Sequence, residues 1–291
     1  MRLHLSILFF LFCNCFAVFS KDNDNPYQSS ADQLFYSGEY EQAFRMYGNA
    51  IKADRLEDAN YELFLNAGDC AYFLNYKQIA FSYYGLSALR NAPIEKLTKH
   101  VTTYCDNDLT SVPDALKKIA ERYPETRNRL YPKIATILFD QLKYTEAIPV
   151  LKECLNSQPQ DLVIQKMLAK SFLYTECTDS AYILYKEIAE NHPDDYDSYV
   201  FLGNYYYVTA NKLAKTATTP DERKTRFSRF RKEEEKTDPD KTVEYYYKAG
   251  EYLEKAYTIY NSDEIKKSLI DIYTIVGDKG KIALYKKGTK K

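Results

Sequence analysis

The chain has 291 residues, of which 45% are hydrophobic and 28% are charged, and its formal net charge is −1. This balance excludes a generally disordered chain. The near-zero net charge, without long charge blocks, gives no reason to expect nucleic acid or an anionic membrane surface as a partner. Only 9 Gly and 10 Pro accompany 29 Tyr and no Trp. This composition predicts helices that are joined by short turns.

The first element, residues 1–20, differs in character from everything that follows. Arg2 precedes an apolar run over 5–12, and the sequence turns polar after residue 20. A short apolar run behind a positive start is typical of a signal peptide, with cleavage after Ala17 or Ser20. The sequence therefore predicts an exported protein.

Two alternatives for this segment stay open. It could be retained as an anchor, although it is short for a membrane span, or a lipid could be attached at Cys13 or Cys15, where the neighbouring residues are unfavourable. No later segment is apolar enough to span a membrane, and the chain contains no Asn-x-Ser/Thr sequon, which favours a bacterial source.

The remaining cysteines are far apart in sequence, which fits buried thiols better than a disulfide framework. They are Cys70, Cys105, Cys154 and Cys177.

A period of 34 residues organises the chain from about 24 to 288. It is clearest in two pairs: Ala147 and Ala181 are 34 residues apart, as are Pro159 and Pro193. Each Ala is followed by an aromatic or aliphatic residue four positions later and by a small or aliphatic residue three positions beyond. The same frame begins at Ala43, Ala80, Ala147, Ala181 and Ala249.

A small residue recurs twelve positions before the frame in the first four of these copies, and one further copy continues the series. These residues are Ala31, Gly68, Ala135, Ala169 and Gly203. A small side chain there lets two helices of a pair approach closely, and the Ala and its aromatic neighbour pack into the crevice between them. Because one pair cannot bury its own apolar surface, neighbouring pairs must stack.

The best copies match a known repeat pattern over both halves. The first half is matched by Tyr199, Leu202, Gly203 and Tyr206, and the second half by Ala181, Tyr185 and Pro193. The chain therefore resembles the tetratricopeptide repeat (TPR) family, with Tyr in place of the usual Trp. The resemblance implies an all-α fold, a right-handed superhelical solenoid of about six or seven antiparallel helix pairs. It also implies a concave binding face.

The predicted organisation has four parts: a signal peptide over 1–20, repeats over 24–213, a charged helical insert over 214–240 and further repeats over 241–288. The weakest copy, 95–127, keeps only two positions in register. These are Ala115 and Ile119.

The insert carries a basic and aromatic run over 223–232, which is followed directly by acidic residues. Its central residues are Arg226, Phe227, Arg229 and Phe230. Cations interleaved with aromatics can contact anionic lipid or a partner. The acidic run 233–235 can pair with these cations at helical spacing, and a solvated helix is the plainer interpretation. Membrane contact is therefore conceivable but not expected, and nucleic acid is not expected.

The sequence contains no zinc-type ligand spacing, no phosphate-binding glycine loop and no nucleophile motif. We therefore expect no catalytic residue, no metal and no cofactor.

In the implied architecture, the first helix of each pair lines the concave groove. The residues four and five positions after the small residue are expected to point into it. Aromatic residues dominate these positions, which suits recognition of a protein or peptide segment. They are Phe35, Tyr36, Tyr72, Phe73, Phe139, Tyr174 and Tyr207. The alternative is that these rings pack between neighbouring helices, since the triplets 205–207 and 245–247 cannot all face one way.

The sequence thus favours a non-enzymatic protein-interaction scaffold in the bacterial cell envelope, either periplasmic or associated with the outer membrane. The alternative is a membrane-surface assembly or carbohydrate-handling accessory that uses 214–240 or a lipid anchor. The oligomeric state does not follow from the sequence.

Overall fold

The computed structural model of the protein describes residues 25–55, 59–217 and 239–287. Within these ranges the chain forms 14 α-helices and one short 3-10 turn, and it contains no strand. The helices divide between two compact units, Met1–Gln141 (unit 1) and Leu142–Lys291 (unit 2).

Unit 1 contains seven helices, each of which packs against the next in chain order. They are α1 (Pro26–Tyr36), α2 (Tyr40–Ala53), α3 (Tyr61–Phe73), α4 (Lys77–Leu89), α5 (Ile94–Tyr104), α6 (Val112–Arg122) and α7 (Arg127–Asp140), with the 3-10 turn at Pro124–Thr126.

Unit 2 is built in the same way, again with successive helices in contact. Its helices are α8 (Tyr144–Ser157), α9 (Leu162–Tyr174), α10 (Thr178–Asn191), α11 (Tyr196–Ala217), α12 (Pro239–Ile259), α13 (Asp263–Val276) and α14 (Lys279–Lys287). The prediction of an all-α fold of consecutive helix pairs of the tetratricopeptide type is confirmed.

The helix pairs follow the 34-residue frame. Every Ala that opens a frame is fully buried, namely Ala43, Ala80, Ala147, Ala181 and Ala249. In the divergent copy, Ala115 and Ile119 are also buried. The apolar stripe that carries these residues therefore faces the core, as the sequence pattern predicted.

In two copies the small residue is a glycine that lies where two helices come close together. A Cβ atom built on Gly68 would be only 2.6 Å from the ring of Tyr84. A Cβ atom on Gly203 would be equally close to Leu253. Such distances are well inside van der Waals contact, so glycine is required here for close approach of the two helices.

Short turns of three residues join the two helices of several pairs. Three of these turns place a residue in the left-handed backbone region two positions before the second helix. These residues are Gly38, Asn75 and Glu176, with φ between 62° and 81°. The common turn keeps the small residue and the following Ala twelve positions apart.

The boundaries of the predicted insert differ from the helix ends. Helix α11 continues to Ala217 instead of ending near 213, because no helix breaker occurs before that point. Helix α12 begins at Pro239. The central insert residues, Arg226, Phe227, Arg229 and Phe230, lie outside the described residues, as does the predicted signal peptide.

No helix in the described ranges is long and apolar enough to cross a bilayer. The cysteines Cys70, Cys105, Cys154 and Cys177 are all free thiols. Cys70 and Cys154 are buried as expected, whereas Cys177 is exposed in the turn before α10.

Candidate functional site

Unit 1 has two layers of helices. The first helices of its pairs contact one another, α1 with α3 and α3 with α5, while the second helices α4 and α6 contact each other. The layer of first helices is the one on which the partner-binding residues were predicted.

The predicted aromatic residues lie near the ends of the first helices, beside the turns. In unit 1 this places Phe35 and Tyr36 at the end of α1, Tyr72 and Phe73 at the end of α3, and Phe139 near the end of α7. In unit 2 it places Tyr174 at the end of α9, whereas Tyr207 lies within the longer α11.

Four of these residues come together with Tyr40, the first residue of α2. We call this cluster the aromatic edge: Phe35, Tyr36, Tyr40, Tyr72 and Phe73. Phe73 stacks on Tyr40 with ring centroids 4.5 Å apart, and Phe35 meets both rings at 5.7 and 6.3 Å. Tyr72 meets Phe73 edge-on at 5.4 Å. Such offset and edge-on contacts fix the orientation of the rings.

The aromatic edge is anchored to the third helix pair by a polar contact. The hydroxyl of Tyr72 donates a 2.5 Å hydrogen bond to Asp106, and Lys77 lies 3.5 Å from the same carboxylate. The hydrogen bond from Tyr72 and the charge of Lys77 lower the pKa of Asp106, so this carboxyl stays ionised.

A polar cavity of about 320 Å³ opens between α1, α3 and α5, next to the aromatic edge. Asp32 lies in its wall and accepts hydrogen bonds from the hydroxyl of Tyr47 at 2.5 Å and from Asn66 at 3.3 Å. Burial and the bond to Asp32 raise the pKa of Tyr47, so its hydroxyl remains a donor. The carboxylate is thereby held at the groove surface by a residue of the second layer.

The next copy repeats this arrangement one pair later. Asp69 accepts a 2.8 Å hydrogen bond from the hydroxyl of Tyr84, and its other oxygen lies 2.8 Å from Nδ1 of His100. Lys96 pairs with Glu62 at 2.7 Å on the same layer. The wall of the polar cavity therefore combines the carboxylates of Asp32 and Glu62 with lysine and imidazole groups, which suits a polar main chain or charged side chains of a ligand.

Tyr36 connects the aromatic edge with the groove. It lines the polar cavity, and its ring contacts Phe35 at 5.7 Å. Tyr36 is 86% exposed and Phe73 is 46% exposed. An exposed aromatic cluster beside a polar groove is the composition found at protein interaction surfaces.

The predicted residues of unit 2 form two separate ring pairs. Tyr174 is 60% exposed and stacks on Tyr144 at 4.5 Å. This contact has the same geometry as the stack of Phe73 on Tyr40. Tyr207 meets Tyr246 edge-on at 6.0 Å. Its ring is therefore packed between neighbouring helices, as the alternative interpretation of these positions predicted.

Most of the remaining tyrosines of unit 2 are structural. Tyr182 stacks on Tyr205 at 4.4 Å, and its hydroxyl lies 2.8 Å from that of Tyr206. Tyr206 stacks in turn on Tyr252 at 5.6 Å. This tyrosine network holds α10, α11 and α12 together, which explains much of the tyrosine excess in the composition.

Sequence reasoning missed the carboxylates of the groove, because only the aromatic positions were counted. A usable signal was present: Asp32 and Asp69 each follow the small residue directly and are 37 residues apart, as are Tyr47 and Tyr84. Among the residues that the structure describes, no cluster of His, Cys, Asp or Glu has the geometry of a metal site.

No protein-family model matches the chain, and no curated protein matches it. Solved structures with a similar arrangement include a TPR repeats protein from Bacteroides fragilis, which is 17% identical, with 86% of this chain and 98% of that chain covered and a TM-score of 0.44. The C-terminal part of a TPR repeat-containing protein from Cytophaga hutchinsonii is 16% identical, with 90% and 96% covered and a TM-score of 0.46.

A third similar structure is YrrB, described as a TPR protein with an unusual peptide-binding site. It is 15% identical, with 84% of this chain and 92% of that chain covered and a TM-score of 0.34. We base the repeat assignment on the period and helix pairs of this chain itself.

Proposed function

We propose that this repeat protein is a non-enzymatic scaffold that binds an extended segment of a partner protein along the first helices of unit 1. The aromatic edge would take an apolar side chain of the partner, and the carboxylates and cations of the groove would contact its polar groups. Peptides that lie in such grooves are commonly fixed by aromatic anchors and polar side chains.

The observation that carries this proposal is the position of Tyr36. A ring that is 86% exposed is costly in water, yet it stands where the aromatic edge meets the polar cavity. Aromatic residues in such positions supply large contact area with little loss of conformational entropy on binding.

The test is site-specific photocrosslinking in the native cell. The full chain would carry benzoylphenylalanine in place of Tyr36, and a control would carry it in place of Tyr260, which is also exposed but lies in unit 2. We expect a protein adduct at position 36 that is absent at position 260. The crosslinked partner segment, made as a peptide, should bind the purified chain.

The double substitution Tyr36→Ala and Phe73→Ala should then weaken peptide binding about tenfold or more, as expected for anchor residues. Unchanged affinity of the double variant, or adducts that form equally at both positions, would contradict the proposal.

We further propose that the protein acts in the bacterial cell envelope, on the basis of the signal-like residues 1–20. Fractionation of cells that express the tagged full chain checks this. A periplasmic or outer-membrane fraction is expected, and recovery with cytoplasmic markers would rule it out.

A further inference from the structure

A larger cavity lies in the second layer of unit 1, away from the groove of the first helices. It has a volume of about 880 Å³ and is bounded by α2, α4, α6 and the end of α5. Pockets for organic ligands fall in the range of roughly 300–1,000 Å³. The cavity is therefore large enough for a small organic molecule.

The cavity lies beside the divergent third helix pair. Between α5 and α6 the chain runs through seven residues, 105–111, where other pairs have three-residue turns. Two successive residues of this connection, Asp106 and Asn107, have left-handed backbone conformations. Tyr104, Cys105 and Ser111 line the cavity wall, so the site is built where the repeat departs from its pattern.

The lining combines apolar side chains with two tyrosines. Phe81 and Leu86 contribute apolar surface, while Tyr83 and Tyr104 also line the cavity. Burial raises the pKa of both tyrosines, which therefore keep their protons and can donate hydrogen bonds.

The hydroxyls of these two partly buried tyrosines differ from those of the fully buried tyrosines of unit 1. Tyr47 and Tyr84 each donate to a carboxylate, whereas no protein partner for the hydroxyl of Tyr83 or Tyr104 occurs among the described residues. Neither hydroxyl oxygen is among the buried polar atoms that lack a partner, so both are accessible from solvent. Two accessible donors on residues that line one cavity are suited to a ligand that accepts hydrogen bonds.

The charged groups at the cavity are mainly cationic. The charged residues of the lining are two cations of α6, Lys118 and Arg122, and one carboxylate, Asp114. Both cations are exposed. In the part of the chain that the structure describes, Lys118 forms no ion pair, although Asp114 is one helical turn away. This leaves a positive charge at the cavity that a ligand could neutralise.

We propose that this cavity binds an amphipathic organic anion, with an apolar body against Phe81 and Leu86, an acceptor at the tyrosine hydroxyls and its charge near Lys118. The site is separate from the peptide groove of the proposed function and does not depend on it.

The test uses two probes with the same apolar body, the anion anilinonaphthalene sulfonate and the uncharged phenylnaphthylamine. Cys105 lines the cavity, so a bound probe should slow its alkylation by iodoacetamide several-fold. The exposed Cys177 is the internal control in the same chain, and peptide mass analysis reports both rates.

Lys118→Gln should weaken binding of the sulfonate about threefold to fivefold, as for a partly exposed charge contact, and leave binding of the neutral probe unchanged. Lys117→Gln, on the same helix but outside the cavity lining, should change neither. If neither probe protects Cys105, the site is overturned. Equal effects of Lys118→Gln on both probes would overturn the assignment of an anion.

Discussion

The two units use the same repeat frame but differ in how the tyrosine four residues after the frame Ala is held. In unit 1, Tyr47 and Tyr84 of the second helices donate to Asp32 and Asp69 of the first helices. In unit 2, the equivalent Tyr185 stacks on Phe201 at 4.2 Å.

One position in the frame accounts for this difference. The residue after the small position is acidic in the first two copies, Asp32 and Asp69, but it is Thr136 in the last copy of unit 1 and Lys170 or Asn204 in unit 2. An acidic residue there accepts a hydrogen bond from the tyrosine hydroxyl, whereas the ring of Tyr185, whose copy has Lys170 at this position, packs by stacking. In these copies a single position therefore accompanies the change in how the tyrosine is held.

The largest effect is expected where the units are alike. Gly68→Val in unit 1 and Gly203→Val in unit 2 would each destabilise the protein by about 3 kcal/mol, because the new side chain overpacks the helix crevice. Urea unfolding followed by circular dichroism measures this. Gly48→Val is the control, since nothing lies within 4 Å of a Cβ atom there. If Gly68→Val and Gly48→Val were equally stable, the claim that the small position requires glycine for close helix packing would be contradicted.

The second prediction addresses the position at which the units differ. Asp69→Ala should cost about 2 kcal/mol of unfolding free energy, because the buried hydroxyl of Tyr84 loses its acceptor. The matched substitution in unit 2, Lys170→Ala, should cost less than about 0.5 kcal/mol. Both are measured by urea unfolding at neutral pH. Comparable costs for the two variants would show that the acidic residue does not distinguish the units.

The third prediction concerns acid stability in unit 2. Burial of Asp195 disfavours its charge, but hydrogen bonds from Lys166 and Ser198 outweigh this and lower its pKa. A lowered folded-state pKa stabilises the protein above the unfolded value of about 3.9, and this contribution is lost as the pH falls through the folded-state pKa.

Asp195→Asn should therefore reduce the loss of stability between pH 7 and pH 3 by about 1 kcal/mol. Asp194→Asn, at an exposed neighbouring position, is the control. The measurement is urea unfolding at the two pH values, and an unchanged pH dependence in Asp195→Asn would count against the role of this pair.

The smallest stability effect is expected at the ring stacks that both units share. Phe73→Ala and Tyr174→Ala should each cost about 0.7 kcal/mol, the range for an aromatic pair. Only Phe73→Ala should also weaken binding of the partner peptide proposed above. If Tyr174→Ala weakened that binding equally, the distinction between the two units as binding surfaces would be lost.

The helix pairs could be predicted from the sequence, because burial of Ala43 or Ala181 depends only on a local spacing of residues. It also supplied four of the five members of the aromatic edge, since their offset from Ala31 and Gly68 is constant. Their clustering was not predictable, because it depends on Tyr40, the first residue of the following helix.

The cavity of the second layer could not be predicted. Copy 95–127 keeps too few positions in register for its helices to be placed, and the cavity depends on the path of the long connection 105–111. The end of α11 and the start of α12 could not be predicted from the repeat spacing either, since a helix continues until a helix-breaking residue ends it.

The tyrosine network has a practical consequence for spectroscopy. The chain has no tryptophan, so its near-ultraviolet dichroism arises chiefly from tyrosines in fixed, asymmetric surroundings. Tyr182, Tyr205, Tyr206 and Tyr252 form a set of close rings of this kind in unit 2. Loss of that signal while the helical far-ultraviolet signal persists would mark the moment at which side-chain packing in unit 2 loosens before its backbone unfolds.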